Sequence, residues 1–181
     1  MMKRSNLILL GVLGAIFLYF TVLQFSTHNY VRKGVIEEAG VVISKIRSLP
    51  SFRSIDVRDN IRVYFKQDSL TQVTIKAPEN FTPYIKTKVD QGSLLIEKTK
   101  SINTDDTIKV FISSHYLDSV KVHSAASFKT IGVITGKELV LEFRGESTGD
   151  LEITYDLVQC KKSSDATITL KGNSKKINFL N

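Results

Sequence analysis

Gly145-Glu146-Ser147-Thr148-Gly149 matches G-x-S-x-G, the pattern that exposes a nucleophilic serine on a strand-to-helix turn. That chemistry needs a histidine base later in the chain than the serine, and the last histidine here is His123. Strand-like sequence flanks the motif on both sides, so it reads as a turn. His115 and His123, with Asp118 between them, offer two imidazoles and a carboxylate to a metal. Asp118 and His123 are an odd number of steps apart, which separates them onto opposite faces of a strand. A surface histidine pair is the reading. Asp105-Asp106, after Asn103-Thr104, resembles a calcium loop but lacks the spaced carboxylates of one. Glu138, Glu142, Glu146, Asp150, Glu152 and Asp156 recur at spacings that suit exposed strand and turn positions. Cys160 is the single cysteine, which rules out an intrachain disulfide and a thiolate metal cluster. Its apolar-polar surroundings suit a buried structural thiol. The chain therefore presents no catalytic, cofactor-binding or metal-ligating residues, and no enzyme is expected.

The elements that must carry these side chains begin with an apolar segment. Residues 7–25 run about 19 positions without a charge, roughly 28 Å as a helix against a hydrocarbon core of ~30 Å. Residues 26–30 offer no small-x-small cleavage site, and no cysteine follows to take a lipid. Lys3 and Arg4 on one side balance Arg32 and Lys33 on the other, and the short N-terminal tail makes N-terminus-in the simpler orientation. The expectation is an uncleaved signal anchor with its flanks over 1–33 and membrane contact through residues 7–25. It would give a single-pass protein of the inner (cytoplasmic) membrane with its C-terminal domain extracytoplasmic, in the periplasm. The formal charge of +7 over 181 residues is concentrated there. The 25 basic residues less those four leave 21 against 18 acidic ones beyond residue 33. Without a basic cluster interleaved with aromatics, nucleic acid is not expected as a partner.

Residues 34–50, with Gly34, Gly40 and Pro50 around Val41-Val42-Ile43, read as a stalk or linker. From Phe52 onward the pattern has period two. Ile55 and Val57, then Ile61, Val63 and Phe65, then Ile108, Val110 and Ile112 alternate with polar neighbours, as half-buried strands do. Asp90-Gln91-Gly92 marks a turn before Leu94-Leu95-Ile96. Strand starts at Leu117, Leu139 and Leu157 add a slower period of about 18 to 22 residues, each followed by a cluster of small residues. These patterns give an all-β domain over 51–181. The expected fold is a single-stranded right-handed parallel β-helix, a solenoid, following the transmembrane helix, with a β-sandwich as the alternative.

Phe52-Arg-Ser-Ile55-Asp-Val57, Val89-Asp-Gln-Gly92-Ser-Leu94-Leu-Ile96, Ile108-Lys-Val110-Phe-Ile112 and Leu117-Asp-Ser-Val120-Lys-Val122 carry a resemblance. From Leu49 to Asn181 the chain resembles the head GIN domain proteins, labelled auto-transporter adhesins of bacterial envelopes. It departs from that family's repeated Gly-Ser-Gly turns, having Ser124-Ala125-Ala126, Gly145-Glu146-Ser147 and Ser163-Ser164-Asp165 instead. The resemblance implies an envelope β-helix with no established catalytic activity. The expected function is membrane-anchored binding, adhesin-like contact or scaffolding. The alternatives are a glycan-active β-helix enzyme and the outer domain of an envelope-sensing regulator. An envelope protein, a glycan or a second copy of the chain is the expected partner. Residues 176–181 keep an apolar strand pattern with no cap after it, so Ile177 and Phe179 are the expected contacts for self-association or a partner.

Overall fold

The structure, a computed structural model, describes residues 14, 16–21, 36–37, 40–103 and 108–180. The chain divides into two compact units, 1–36 and 37–181. In the first, Gly14 and Ile16 to Thr21 are helical, and the Thr21 hydroxyl donates to the Phe17 and Leu18 carbonyls at 3.1 and 2.8 Å. Here the anchor expectation is corrected. Among the described residues no helix is long and apolar enough to cross a membrane. Most of residues 7–25 lie outside the described residues. The inner-membrane location and the periplasmic placement of the domain both rested on that helix, and both fall with it.

The second unit is all-β. In chain order the strands are β1 (Ile36–Glu37), which falls on the boundary of the two units, β2 (Val42–Arg47), β3 (Ser54–Val57), β4 (Arg62–Gln67) and β5 (Gln72–Pro78). A single 3-10 turn, Thr82–Tyr84, leads to β6 (Ile85–Asp90), β7 (Ser93–Lys98), β8 (Ile102–Asn103) and β9 (Lys109–Ser114). Then follow β10 (Ser119–Val122), β11 (Ser127–Thr130), β12 (Ile134–Phe143), β13 (Thr148–Lys162) and β14 (Thr167–Leu180). All but β1 and β8 join one 12-stranded sheet ordered β2-β5-β9-β4-β11-β13-β12-β10-β3-β7-β6, with β14 added on β13.

That order corrects the expected parallel β-helix, and a sandwich of two separate sheets as well. The sheet is mixed. β2–β5, β5–β9 and β6–β7 are antiparallel, while β4–β9, β3–β7 and the pairs formed by β10 to β14 are parallel. The reason is local. Gln91 and Gly92 take positive φ (46° and 74°), the two-residue turn that folds β6 back on β7 with Asp90 opposite Ser93. Alternation tells that a segment is a strand but not which way its neighbour runs. The 18-to-22-residue period survives only as a register offset. Val120 pairs with Leu141, and Leu141 with Cys160.

The sheet curls so that its inward rows form the core. Leu94, Ile55, Val120, Leu141 and Cys160 are successive register partners, each no more than 1% exposed. On the other side Ile75, Val110, Val63 and Phe128 continue the same way onto Gly149. Phe65 and Phe128 stack at 6.2 Å between ring centroids. A Cβ on Gly149 would lie 2.7 Å from the Phe143 ring, so the missing side chain makes room for that ring. Burying a side chain of this size contributes about 1.5–3 kcal/mol.

Candidate functional site: a cleft beside Tyr116

Past β9 the chain leaves the sheet for four residues, His115 to Asp118, before β10 begins. This segment is fixed from several directions. The Asp118 N–H donates to the Arg53 carbonyl at 2.7 Å, and the Val140 N–H donates to the Asp118 carbonyl at 2.9 Å. The Gln67 amide donates to the carbonyls of His115 and Thr135, at 2.9 and 3.0 Å, and accepts from the Thr135 N–H at 2.7 Å. Tyr155 donates its hydroxyl to the Leu117 carbonyl at 2.7 Å. Burial, and behind it the Asp118 charge, pushes the Tyr155 phenol well above its ordinary value. Gly136 leaves space that the Tyr155 ring fills. The backbone around the cleft is therefore tied by hydrogen bonds to several separate elements.

The side chains on that frame form a cleft of about 910 Å³ between the 115–118 segment and the start of β12. Tyr116 is 49% exposed. The Arg53 guanidinium lies 4.6 Å from its ring centroid, and the His115 ring meets it edge-on at 4.1 Å. Arg53 also donates to Asp118 at 2.9 Å. Glu138 lines the same cleft and accepts from the Gln159 amide at 2.6 Å. A second hollow of about 670 Å³ shares Arg53, His115, Tyr116 and Asp118, so this cluster stands between two concave surfaces.

The residues singled out in the sequence are dispersed. Ser147 is fully buried in the turn between β12 and β13, with a strand on each side, and no reactant can reach it. His115 sits at the cleft, whereas His123 faces Asp56 at 3.4 Å and Asp118 turns to Arg53. Among the described residues no three of His, Cys, Asp or Glu are grouped to hold a metal. Asp105 and Asp106 lie outside the described residues. Glu142 pairs with Arg144, and Asp156 with Lys175 at 2.7 Å. Asp150 lies between Lys129 and Lys171, at 2.9 and 3.2 Å, and their hydrogen bonds hold its carboxyl below its ordinary value. Cys160 is buried, and burial pushes its thiol up. Ile177 and Phe179 are exposed on β14, at 43% and 70%. Sequence reasoning passed over Arg53, Gln67 and Tyr116. The available signal was an aromatic, Tyr116, in a polar break between two strands.

The model of a family described as "Putative auto-transporter adhesin, head GIN domain" matches residues 51–180. The chain belongs to the head GIN domain family. Solved structures share the fold of this head GIN chain at low identity. A "putative adhesin" from Bacteroides fragilis is 18% identical, with a TM-score of 0.74 over 78% of this chain and 67% of that one. A "putative adhesin" from Parabacteroides distasonis is 20% identical, with a TM-score of 0.61 over 80% and 71%. A "putative lipid binding protein" from the same organism is 16% identical, with a TM-score of 0.59 over 77% and 70%. None of the curated proteins matches the chain.

Proposed function

We propose that this head GIN domain is an adhesin-like binding module without catalysis, and that its cleft beside Tyr116 takes a glycan. The half-exposed Tyr116 ring, with Arg53 and His115 packed against it, carries this reading. A sugar offers an apolar face of C–H groups and a rim of hydroxyls. A tyrosine supplies the matching apolar surface, and planar guanidinium, carboxylate and amide groups supply directed hydrogen bonds. The cleft mixes both charge signs, with Arg53 and Lys137 beside Asp118 and Glu138, which suits a neutral polyhydroxylated ligand better than a strongly charged one.

Two carboxylates in one cleft favour a second reading, glycoside hydrolysis, which uses such a pair. Against it, Asp118 is engaged by Arg53 and Glu138 by Gln159. One experiment separates the two. The full chain is screened against an array of bacterial and host glycans, and each ligand found is then incubated with the protein and its products analysed. Binding that falls at least tenfold in Tyr116→Ala, at an unchanged melting temperature and with no product formed, is the expected result. Cleavage lost in Asp118→Asn or Glu138→Gln would establish an enzyme instead. Glycan binding indifferent to Tyr116→Ala would move the site elsewhere.

A further inference from the structure

β14 runs for 14 residues, and among the described residues it pairs with β13 alone. Its outer edge presents a row of unpaired N–H and C=O groups. Beneath that edge the core continues. The row through Leu94, Ile55, Val120, Leu141 and Cys160 ends on Phe179, and exposure jumps from 1% at Cys160 to 70% at Phe179. Leu170 and Ile177 likewise extend the buried positions Leu151 and Val158. Proteins guard such edges with charged side chains, lysine above all, with proline, with bulges or with inward-pointing charges. β14 has no proline, its three lysines lie off these inward rows, and two of them, Lys171 and Lys175, are bonded to Asp150 and Asp156.

We infer that β14 is an interface, and that its partner is β14 of a second copy of this chain, paired antiparallel across a two-fold axis. The strand has two arms. Register with β13 runs from Thr167 to Ser174, skips Lys175, and resumes from Lys176 to Leu180, with the inward positions shifting from even to odd numbers at that corner. A two-fold axis through the corner lays the first arm of one copy on the second arm of the other, with both inward faces still inward. Leu170 then stands opposite the partner's Phe179, and Gly172, which has no side chain, opposite the partner's Ile177.

Charge selects this register. In it Lys171, Lys175 and Lys176 face the partner's Asn178, the partner's Ser174 and the partner's Asn173. A slip of two residues in one direction sets Lys171 against the partner's Lys176. The same slip in the other direction sets Lys175 against the partner's Lys176. Like charges directly opposite destabilise a pair of strands, and odd slips turn the apolar row to solvent. Lys171 and Lys175 are also bonded to Asp150 and Asp156 of their own chain, which lowers their mutual repulsion. An isologous contact closes on itself, so it yields dimers and not fibres.

The test uses the full chain. Sedimentation equilibrium of the wild type should give twice the chain mass, and Phe179→Asp should give the single mass and melt where the dilute, monomeric wild type does. Separately, Thr169→Cys and Leu180→Cys proteins, which the register places opposite each other, are mixed and treated with a short bis-maleimide. The mixture should cross-link at least fivefold more than either variant alone, while wild type, with Cys160 buried, should not react. The cross-link leaves the core untouched, so the register is tested even if Phe179→Asp folds poorly. A wild type that stays monomeric up to the highest soluble concentration overturns the proposal. So does a dimer that Phe179→Asp leaves intact, or cross-linking that is equal in the mixture and the single variants.

Discussion

Ser147 is buried with no hydrogen-bond partner for its hydroxyl, beside Ala126 and Ala166 in the turns that lead into the neighbouring strands β11 and β14. A buried hydroxyl without a partner costs about 1–3 kcal/mol. Ser147→Ala, which repeats what both neighbours already have, should therefore raise stability by about 1 kcal/mol and the melting temperature by a few degrees. A denaturation midpoint that falls would show that the hydroxyl is bonded in solution. Tyr155 gives the opposite case, a buried hydroxyl with a partner. Its folded phenol titrates above the ordinary tyrosine value of about 10. The neutral form is thus favoured by folding, and that contribution is complete below pH ~10 and lost as pH rises past it, where the unfolded chain ionises first. Tyr155→Phe should cost about 0.5–1.5 kcal/mol at pH 7 and should flatten the fall in stability between pH 9 and 11. An unchanged alkaline slope would assign the titration to another tyrosine. The sequence pointed to a turn at Ser147, because strand-like segments flank it, and the structure buries that serine in the turn. The sequence did not show the Tyr116 cleft, because Arg53, Gln67, Tyr116 and Glu138 come from four separate segments that only the sheet order brings together.

Strands are where the sequence was most legible, and their directions where it was least. The alternation at Ile55 and Val57, or at Val110 and Ile112, marks β3 and β9 because one face of each is buried and the other is not. The same alternation is blind to whether β5 runs parallel or antiparallel to β9, which is why antiparallel β5 and β6 defeat a purely parallel stack. Glycines inside strands carried information of another kind. Gly149 has ordinary backbone angles but sits under the Phe143 ring, so Gly149→Ala would overpack two adjoining strands. Chemical denaturation should show a loss of about 1–3 kcal/mol, and Gly149→Ala with Phe143→Leu should recover part of it. If Gly149→Ala is neutral, the ring moves freely and the close approach is not a constraint. Gly172, in β14, has φ of 103° and points its missing Cβ at the Ile153 carbonyl. Alanine there meets backbone, which cannot give way as a ring can, so Gly172→Ala should be the more damaging of the two.

At the scale of the domain, stability is set by how many neighbours each strand has. β13 is flanked by β11 and β12 on one side and by β14 on the other, and its inward residues Leu151, Ile153 and Val158 are buried. Among the described residues β14 adds its 14 residues against a single neighbour. Opening β14 breaks one ladder and exposes side chains that are already half in solvent, whereas opening β13 breaks three ladders and exposes the core. Local opening free energies in such a fold run from near zero up to the global value. Amide hydrogen exchange of the dilute protein should therefore rank β13 among the slowest segments, exchanging only by global unfolding, with β14 exchanging well before it. Raising the protein concentration a hundredfold should slow exchange in β14 selectively if a second copy pairs there, since anything that binds the folded form alone protects it by mass action. Equal protection of β13 and β14 in dilute protein would mean that β14 is held by contacts beyond β13. Concentration-independent exchange in β14, with β13 still slow, would leave the edge open in solution.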